Sequence, residues 1–256
     1  QGVIVMQPTK EWIKKWEKVK DKLQPNSNLV NYFTLKEIAG KEIDVIDIGP
    51  CSIPTGEFLV GDPLVYLGSK YEKEYFQKIP IGESKTEVCV VKASDEDCDR
   101  YAAVRLKFND NEISYFEEAM KGIEDLEDVN EGDFFGFNVD AGLACICDKK
   151  LHDLYCEFHE KFAKENPDGN IYDDYFAKLF EESYKDNPKY QRDGGDWINW
   201  NIPNTNYHLP MFQSGFGDGA YPVYLAYDKD GNVCQLIVEL IDIELAYSEI
   251  DEDDDE

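Results

Sequence analysis

The chain has 256 residues, of which 42% are apolar and 31% are charged. This length can bury a core without disulfide or metal support, and the composition is typical of soluble globular proteins rather than of disordered, fibrous or membrane proteins. The 54 acidic and 26 basic residues give a net charge of −28. Nucleic acid is excluded as an expected partner, because affinity for phosphate backbones depends mainly on basic side chains.

The acidity is not confined to one end of the chain. Residues 251–256 are all acidic, but the chain without them would still carry −22. Such a surface attracts basic partners or divalent cations. A solvated surface with no dedicated partner explains the same charge, so composition leaves both interpretations open.

A basic amphipathic helix is predicted over residues 9–23. Thr9 can cap its start, and Trp12 and Trp16 fall on one stripe, while six lysines stand against three acids. We expect the helix to pack on the acidic body, because two tryptophans on one stripe are more often core residues. A membrane-surface or calmodulin-target helix is the alternative.

Most of the remaining chain shows strand patterns, with two further helices. The predicted strands cover residues 43–48, 58–60, 64–67, 87–91, 101–108 and 134–147, and a closing hairpin pairs residues 221–227 with 232–245. Helices are predicted at 149–164 and 173–185, and residues 188–219 show no period. The fold class is therefore α+β: a mainly antiparallel sheet or two-layer β assembly with three peripheral helices.

The seven cysteines form an odd set without regular spacing. Disulfide frameworks are even-numbered and belong mostly to small secreted chains, so we expect reduced thiols and a cytoplasmic location. No run approaches 18 apolar residues, and no membrane contact is expected.

Three predicted turns place an aspartate beside glycine: Asp62, Asp140 and Asp218. Glycine lets the backbone approach other groups closely and leaves a neighbouring carboxylate accessible to a cation, a proton or an arginine. A structural role is the alternative, because Asp often accepts hydrogen bonds from its own turn.

These turns carry a resemblance to a known family. The motifs are Gly-Asp-Pro-Leu at 61–64, Ala-Val-Arg-Leu-Lys-Phe at 103–108, Val-Asp-Ala-Gly at 139–142, and Ser-Gly-Phe-Gly-Asp-Gly-Ala-Tyr-Pro-Val-Tyr at 214–224. Over residues 43–241 the chain resembles domain-of-unknown-function family 4241. No linker divides the chain, so we expect a single domain in which a family core at 43–245 is preceded by the basic helix and followed by an acidic tail at 246–256. The resemblance implies no activity, and it places Asp62, Arg105, Asp140 and Asp218 in the parts that define the family.

Arg105 is the one arginine inside the strand pattern of the core. If the three aspartate turns gather at one end of the sheet, its guanidinium could bridge two carboxylates. The motif leaves open whether such a cluster is structural or catalytic.

A metal site is a second hypothesis, on the helix at 149–164. His152, Cys156 and His159 follow i, i+4, i+7 spacing, shortly after Cys145 and Cys147. These are ligand types for zinc, although the spacing matches no standard zinc motif. Ordinary half-buried positions on the flank of the helix are the alternative. For ligand binding we select three aromatic residues of the irregular segment: Trp197, Trp200 and Phe216.

Two functions follow from these features. The favoured one is a non-enzymatic acidic binding module that engages a basic protein partner, in the manner of an immunity or inhibitor protein. The alternative is a metal-assisted hydrolase that uses the Asp/Arg cluster with a divalent metal. The sequence does not determine the oligomeric state.

Overall fold

A computed structural model describes residues 8–94 and 98–248. The strands are β1 (Glu37–Ile38), β2 (Lys41–Ile53), β3 (Phe58–Gly61), β4 (Gly82–Val91), β5 (Arg100–Lys107), β6 (Tyr115–Glu118), β7 (Phe137–Val139), β8 (Leu143–Asp148), β9 (Trp197–Asn201), β10 (His208–Gln213), β11 (Gly219–Tyr221), β12 (Val223–Tyr227) and β13 (Val233–Glu239). The α-helices are α1 (Lys10–Val19), α2 (Lys149–Glu165), α3 (Ala177–Asp186) and α4 (Ile243–Tyr247).

The strands of the described residues form three sheets. Seven pair in the order β1-β2-β4-β5-β13-β12-β6, four in the order β3-β8-β10-β9, and β11 pairs with β7. The ladders between these strands are antiparallel. The predicted α+β class with mainly antiparallel strands is confirmed.

The main core lies between the two larger sheets. Val104 and Leu106 of β5 meet Ile146 of β8 and Phe212 of β10 in one buried cluster. Alternation along each strand directs these side chains to the shared interior, where they lose contact with water. The two sheets therefore pack face to face.

The outer face of each large sheet is covered by helical segments. Tyr155 of α2, Phe180 of α3 and Phe176 just before α3 pack against the four-stranded sheet. A 3-10 turn at Leu29–Phe33 and helix α4 cover the far face of the seven-stranded sheet. Each sheet thus buries both faces, which explains why several strands are continuously apolar.

Helix α1 packs on the body through its tryptophans, as predicted. Thr9 Oγ1 accepts a hydrogen bond from the Trp12 amide at 3.0 Å and caps the helix. Trp12 and Trp16 both contact Phe76 edge-on. Lys20 Nζ lies 3.3 Å from a Glu117 carboxylate oxygen, so basic side chains of this segment face acids of the body.

Two strand predictions were wrong because turns interrupt the apolar runs. Residues 64–67 form a turn in which the amides of Tyr66 and Leu67 bond to the Asp62 carbonyl. Residues 134–147, predicted as one strand, divide into β7 and β8, which belong to different sheets. The turn between them carries Asp140 and Gly142.

The segment at 188–219 was wrongly predicted to be irregular, since it contains β9 and β10. Asparagines in β9 and Pro210 in β10 hide the strand pattern, but Asn199 uses its amide to bond carbonyls of β2. Strand β6 was not predicted at all. The closing strand ends at Glu239 rather than Leu245, and α4 follows it. Most of the predicted acidic tail at 246–256 lies outside the described residues.

None of the seven cysteines, all of which lie within the described residues, forms a disulfide, and all but Cys98 are buried. Among the described residues, no helix combines the length and the apolar character needed to span a membrane.

Candidate functional site

The three aspartate turns meet at one short segment, residues 140–142. Asp62 Oδ2 accepts hydrogen bonds from the amides of Asp140 at 3.0 Å and Ala141 at 2.7 Å. Asp218 Oδ1 accepts from the amide of Gly142 at 3.0 Å. Two carboxylates from distant parts of the chain therefore hold three consecutive amides in place.

The local sequence explains this arrangement. Asp62 follows the last residue of β3, and its Oδ1 also accepts from the amide of Leu64 at 2.8 Å, which turns the chain. Gly142 and Gly217 have φ of +66° and +106°, a conformation that favours glycine. Both turns can therefore bring backbone and carboxylate into direct contact.

The carboxylates differ in environment. Asp62 is fully buried, and burial raises the pKa of its carboxyl, while the three amides act in the opposite direction. Asp140 and Asp218 are exposed. Asp140 accepts a hydrogen bond from the Tyr66 hydroxyl, and this bond is the main cause of the raised pKa of Tyr66. Asp62 is thus placed to stabilise the turn, whereas Asp140 faces solvent.

A cleft of about 500 Å³ opens beside this junction. One wall comes from the aspartate turns or the residues next to them: Leu64, Val65, Ala141, Leu143 and Gln213. A second wall comes from the segment before α3, from α3 itself and from the loop before β9: Asn170, Ile171, Tyr172, Asp173, Phe180 and Gly195. The cleft therefore combines an apolar surface with amide, hydroxyl and carboxylate groups.

Two backbone features shape the second wall. A π-helical turn at Tyr172–Phe176 precedes α3, and such turns often occur at functional sites. Gly195 has φ of +92°, and a Cβ there would lie 2.1 Å from the Phe180 carbonyl oxygen. A side chain at Gly195 would therefore collide with α3.

The structure does not bring Arg105 to the aspartate turns. Its Nη2 donates to Glu87 Oε1 at 2.9 Å, and its guanidinium lies 4.2 Å from the centre of the Phe33 ring. Val104 and Leu106 point toward the four-stranded sheet, so alternation directs Arg105 to the opposite face. The expected bridge between Arg105 and Asp62, Asp140 or Asp218 is therefore not formed.

The three predicted aromatic binding residues do not form one binding surface. Trp200 is buried and donates its indole N–H to the Tyr175 hydroxyl at 3.1 Å, which indicates a core residue. Trp197 is half-buried and lines a second groove, to which Trp200 also contributes. Phe216 is 53% exposed and contacts Tyr247 and Arg100.

The predicted metal ligands lie inside the packing of α2. His152 Nε2 is 3.1 Å from the Ser69 carbonyl and 3.4 Å from Cys156 Sγ, and that thiol also contacts the Leu67 carbonyl. Burial lowers the pKa of His152 and of His159 and raises that of Cys156. Within residues 8–94 and 98–248, no three His, Cys, Asp or Glu side chains are grouped to hold a metal ion. The histidine–cysteine face is better explained by packing.

Sequence reasoning missed most of the cleft. Asp173 begins the predicted helix at 173–185, Asn170 and Tyr172 lie just before it without any prediction, and Gln213 lies in the segment predicted as irregular. The asparagine before the helix was an available signal, since Asn170 Oδ1 accepts from the amides of Tyr172 and Asp173. No local signal in the sequence indicated that the segment before α3 would lie beside the aspartate turns.

The fold and the cleft together define a class of protein. Two antiparallel sheets pack face to face, and a turn at residues 140–142, held by two carboxylates, lies beside a cleft lined by polar and apolar groups. A family model described as "Protein of unknown function (DUF4241)" matches residues 51–238. The chain belongs to this family, as the motifs predicted. No curated protein and no solved structure matches it.

Proposed function

We propose that the protein is a non-enzymatic binding module for a basic protein partner and acts as an inhibitor or immunity protein does. The cleft beside the aspartate turns takes a lysine or arginine side chain of that partner. One observation carries the proposal: the residues that line the cleft combine aliphatic side chains with Asp173 and neutral polar groups and include no Lys, Arg or His.

The physical match is with a long side chain that is apolar along its stem and charged at its end. Leu64, Val65 and Leu143 offer aliphatic contact for methylene groups. Asp173 lines the cleft and supplies negative charge there, and the exposed Asp140 adds a second carboxylate next to Ala141 of the cleft wall. The net charge of −28 would speed the approach of a basic protein.

The hydrogen bonds of the aspartates favour binding over hydrolysis. A general base or metal ligand needs a carboxylate oxygen directed at substrate. The Asp62 carboxylate accepts three backbone amides, and Asp218 accepts one. These bonds give the carboxylates a structural task, and they support a rigid recognition surface. The absence of disulfides among the seven cysteines, all of them described, supports a cytoplasmic setting for this partner.

Charge-matched variants test the proposal. Immobilised wild-type protein, the double variant Asp140→Asn/Asp173→Asn and the control Glu112→Gln/Glu131→Gln would be exposed to lysate of the source cell at low salt, followed by rising salt. Both double variants remove two negative charges from exposed acids. We expect one basic protein to be retained by wild type and by the control, with weaker retention by the cleft variant.

Direct binding of a small probe complements the capture experiment. N-acetyl-lysine methylamide should shift the NMR amide signals of Ala141 and Gly142, and its norleucine counterpart, which lacks the charge, should not. Equal retention by both double variants, together with equal responses to the two amides, would refute the cleft as the site of recognition.

A further inference from the structure

Strand β9 forms one edge of the four-stranded sheet, with β10 on its other side. The bonding pattern is fixed at both ends of this pair: the Ile202 amide donates to the Tyr207 carbonyl at 3.0 Å, and the Gln213 amide donates to the Asp196 carbonyl at 2.9 Å. In an antiparallel ladder, bonded residues alternate with residues whose backbone groups face away. Trp197, Asn199 and Asn201 therefore turn their N–H and C=O groups outward.

A groove of about 630 Å³ runs along this outward edge. One side is the bulge of β2, where Gly49 has φ of +98°. Asn199 Nδ2 fixes the bulge by donating to the carbonyls of Ile48 at 3.0 Å and Pro50 at 2.9 Å. The other side is α3 with the residue just before it: Tyr175, Leu179, Ser183 and Asn187.

Two of the three outward amides are available in this groove. The Trp197 amide is bonded to Gln191 Oε1 at 3.2 Å. Within the described part of the chain, no hydrogen bond satisfies the outward amides of Asn199 and Asn201. The indole N–H of Trp197, which lines the same groove, is also buried without a partner there. Unpaired groups along a strand edge are a template for another strand.

We propose that the edge of β9 binds an extended segment of a basic protein partner, which adds to the sheet as a fifth strand. Main-chain bonds to Asn199 and Asn201 would align the segment, and the two walls would receive its alternating side chains. This inference takes from the proposed function only that the partner is basic.

Charge selects this occupant over a second copy of the chain. The groove is lined by Asp47 and by neutral residues, with no Lys, Arg or His among them. Lys85 approaches Asp47 from outside at 3.9 Å, but its side chain is 80% exposed and can yield to a partner cation. Two copies that each carry −28 would repel one another.

A proline substitution tests the backbone contact. Asn201→Pro removes the outward N–H without removing a ladder bond, as is tolerated at sheet edges, whereas Asn201→Ala keeps this N–H. Both lose the bond from Asn201 Nδ2 to the Tyr207 carbonyl. The probe is a labelled, capped peptide of alternating valine and lysine, with binding measured by fluorescence anisotropy. We expect similar affinity for wild type and Asn201→Ala and about tenfold weaker binding to Asn201→Pro.

Hydrogen exchange provides a readout that does not depend on the proline variant. Addition of the peptide to wild type should slow exchange of the Asn199 and Asn201 amides. Equal affinity for both variants, unchanged exchange at these amides, or failure of the peptide to bind wild type would overturn the inference. If the wild-type protein forms dimers without any peptide and Asn201→Pro abolishes them, the occupant of the edge is a second copy of the chain, and the inference is overturned.

The same peptide separates the two proposals. Binding that Asp140→Asn/Asp173→Asn weakens but Asn201→Pro does not would refute strand addition and leave the cleft proposal standing. The reverse pattern would refute the cleft and leave strand addition standing.

Discussion

Replacement of Glu118 by glutamine tests how a buried carboxyl controls the stability of this protein. Glu118 ends β6 and is 2% exposed. Its Oε1 accepts the amides of Phe135 at 2.7 Å and Gly136 at 2.9 Å, and its Oε2 has no partner among the described residues. These amides precede β7 and the turn that carries Asp140. Glu118 therefore connects the seven-stranded sheet to the segment that leads into β7 and the candidate site.

The expected size of the effect follows from the pKa of Glu118. This pKa is raised from the ordinary 4.5 to about 7, mainly by burial; the two amides oppose the rise, and the nearby Glu124 contributes a smaller part of it. Between these values the folded protein holds a proton that the unfolded chain has released. The stabilisation is therefore complete below pH 4.5 and is lost as the pH rises through about 7. The full loss corresponds to about 3 kcal/mol in the free energy of unfolding.

Urea denaturation across the pH range measures this effect. Glutamine keeps the acceptor for the two amides but cannot ionise, so Glu118→Gln should gain about 3 kcal/mol relative to wild type between pH 5 and pH 8. The exposed control Glu131→Gln removes the same charge and should show a change below about 1 kcal/mol. A constant difference between Glu118→Gln and wild type at every pH would refute the reasoning, because the carboxyl would then titrate alike in both states.

Three further substitutions test the clamped turn, the cleft wall and the basic helix. Asp62→Asn should lower the free energy of unfolding by about 2–4 kcal/mol in urea denaturation, because both carboxylate oxygens accept amides and one of them becomes an NH2 group that cannot accept; a loss below about 1 kcal/mol would contradict this role. Gly195→Ala should lower the melting temperature far more than Gly194→Ala, since both have positive φ but only a Cβ at Gly195 meets the Phe180 backbone. Equal shifts would exclude that collision. Trp16→Ala should lower the free energy of unfolding by about 3–5 kcal/mol, because it removes a buried side chain. Lys15→Ala, which removes a largely exposed ion pair, should lower it by less than about 1 kcal/mol. Similar losses for the two variants would show that charge rather than burial holds the helix.

The candidate site was predictable only in part. Asp62, Asp140 and Asp218 could be selected because glycine-flanked aspartates are visible in sequence, and they do meet at one turn. Arg105 was grouped with them wrongly. Its strand pattern shows that its side chain lies on the face opposite the apolar one, but it does not show which part of the chain covers that face. That cover is Phe33, from a turn about seventy residues earlier in the chain.

The sequence by itself determined the acidic charge, the α+β class, the basic helix capped by Thr9 and the membership in the family. These properties depend on composition, on local periodicity and on short motifs, all of which are present before folding. Only the tertiary structure decided that β9 lies at a sheet edge beside a groove, that Glu118 is buried, and that the aspartates clamp backbone amides. These properties depend on which distant segments pack together, because burial and hydrogen-bond partners across the chain are set by the whole fold rather than by neighbouring residues.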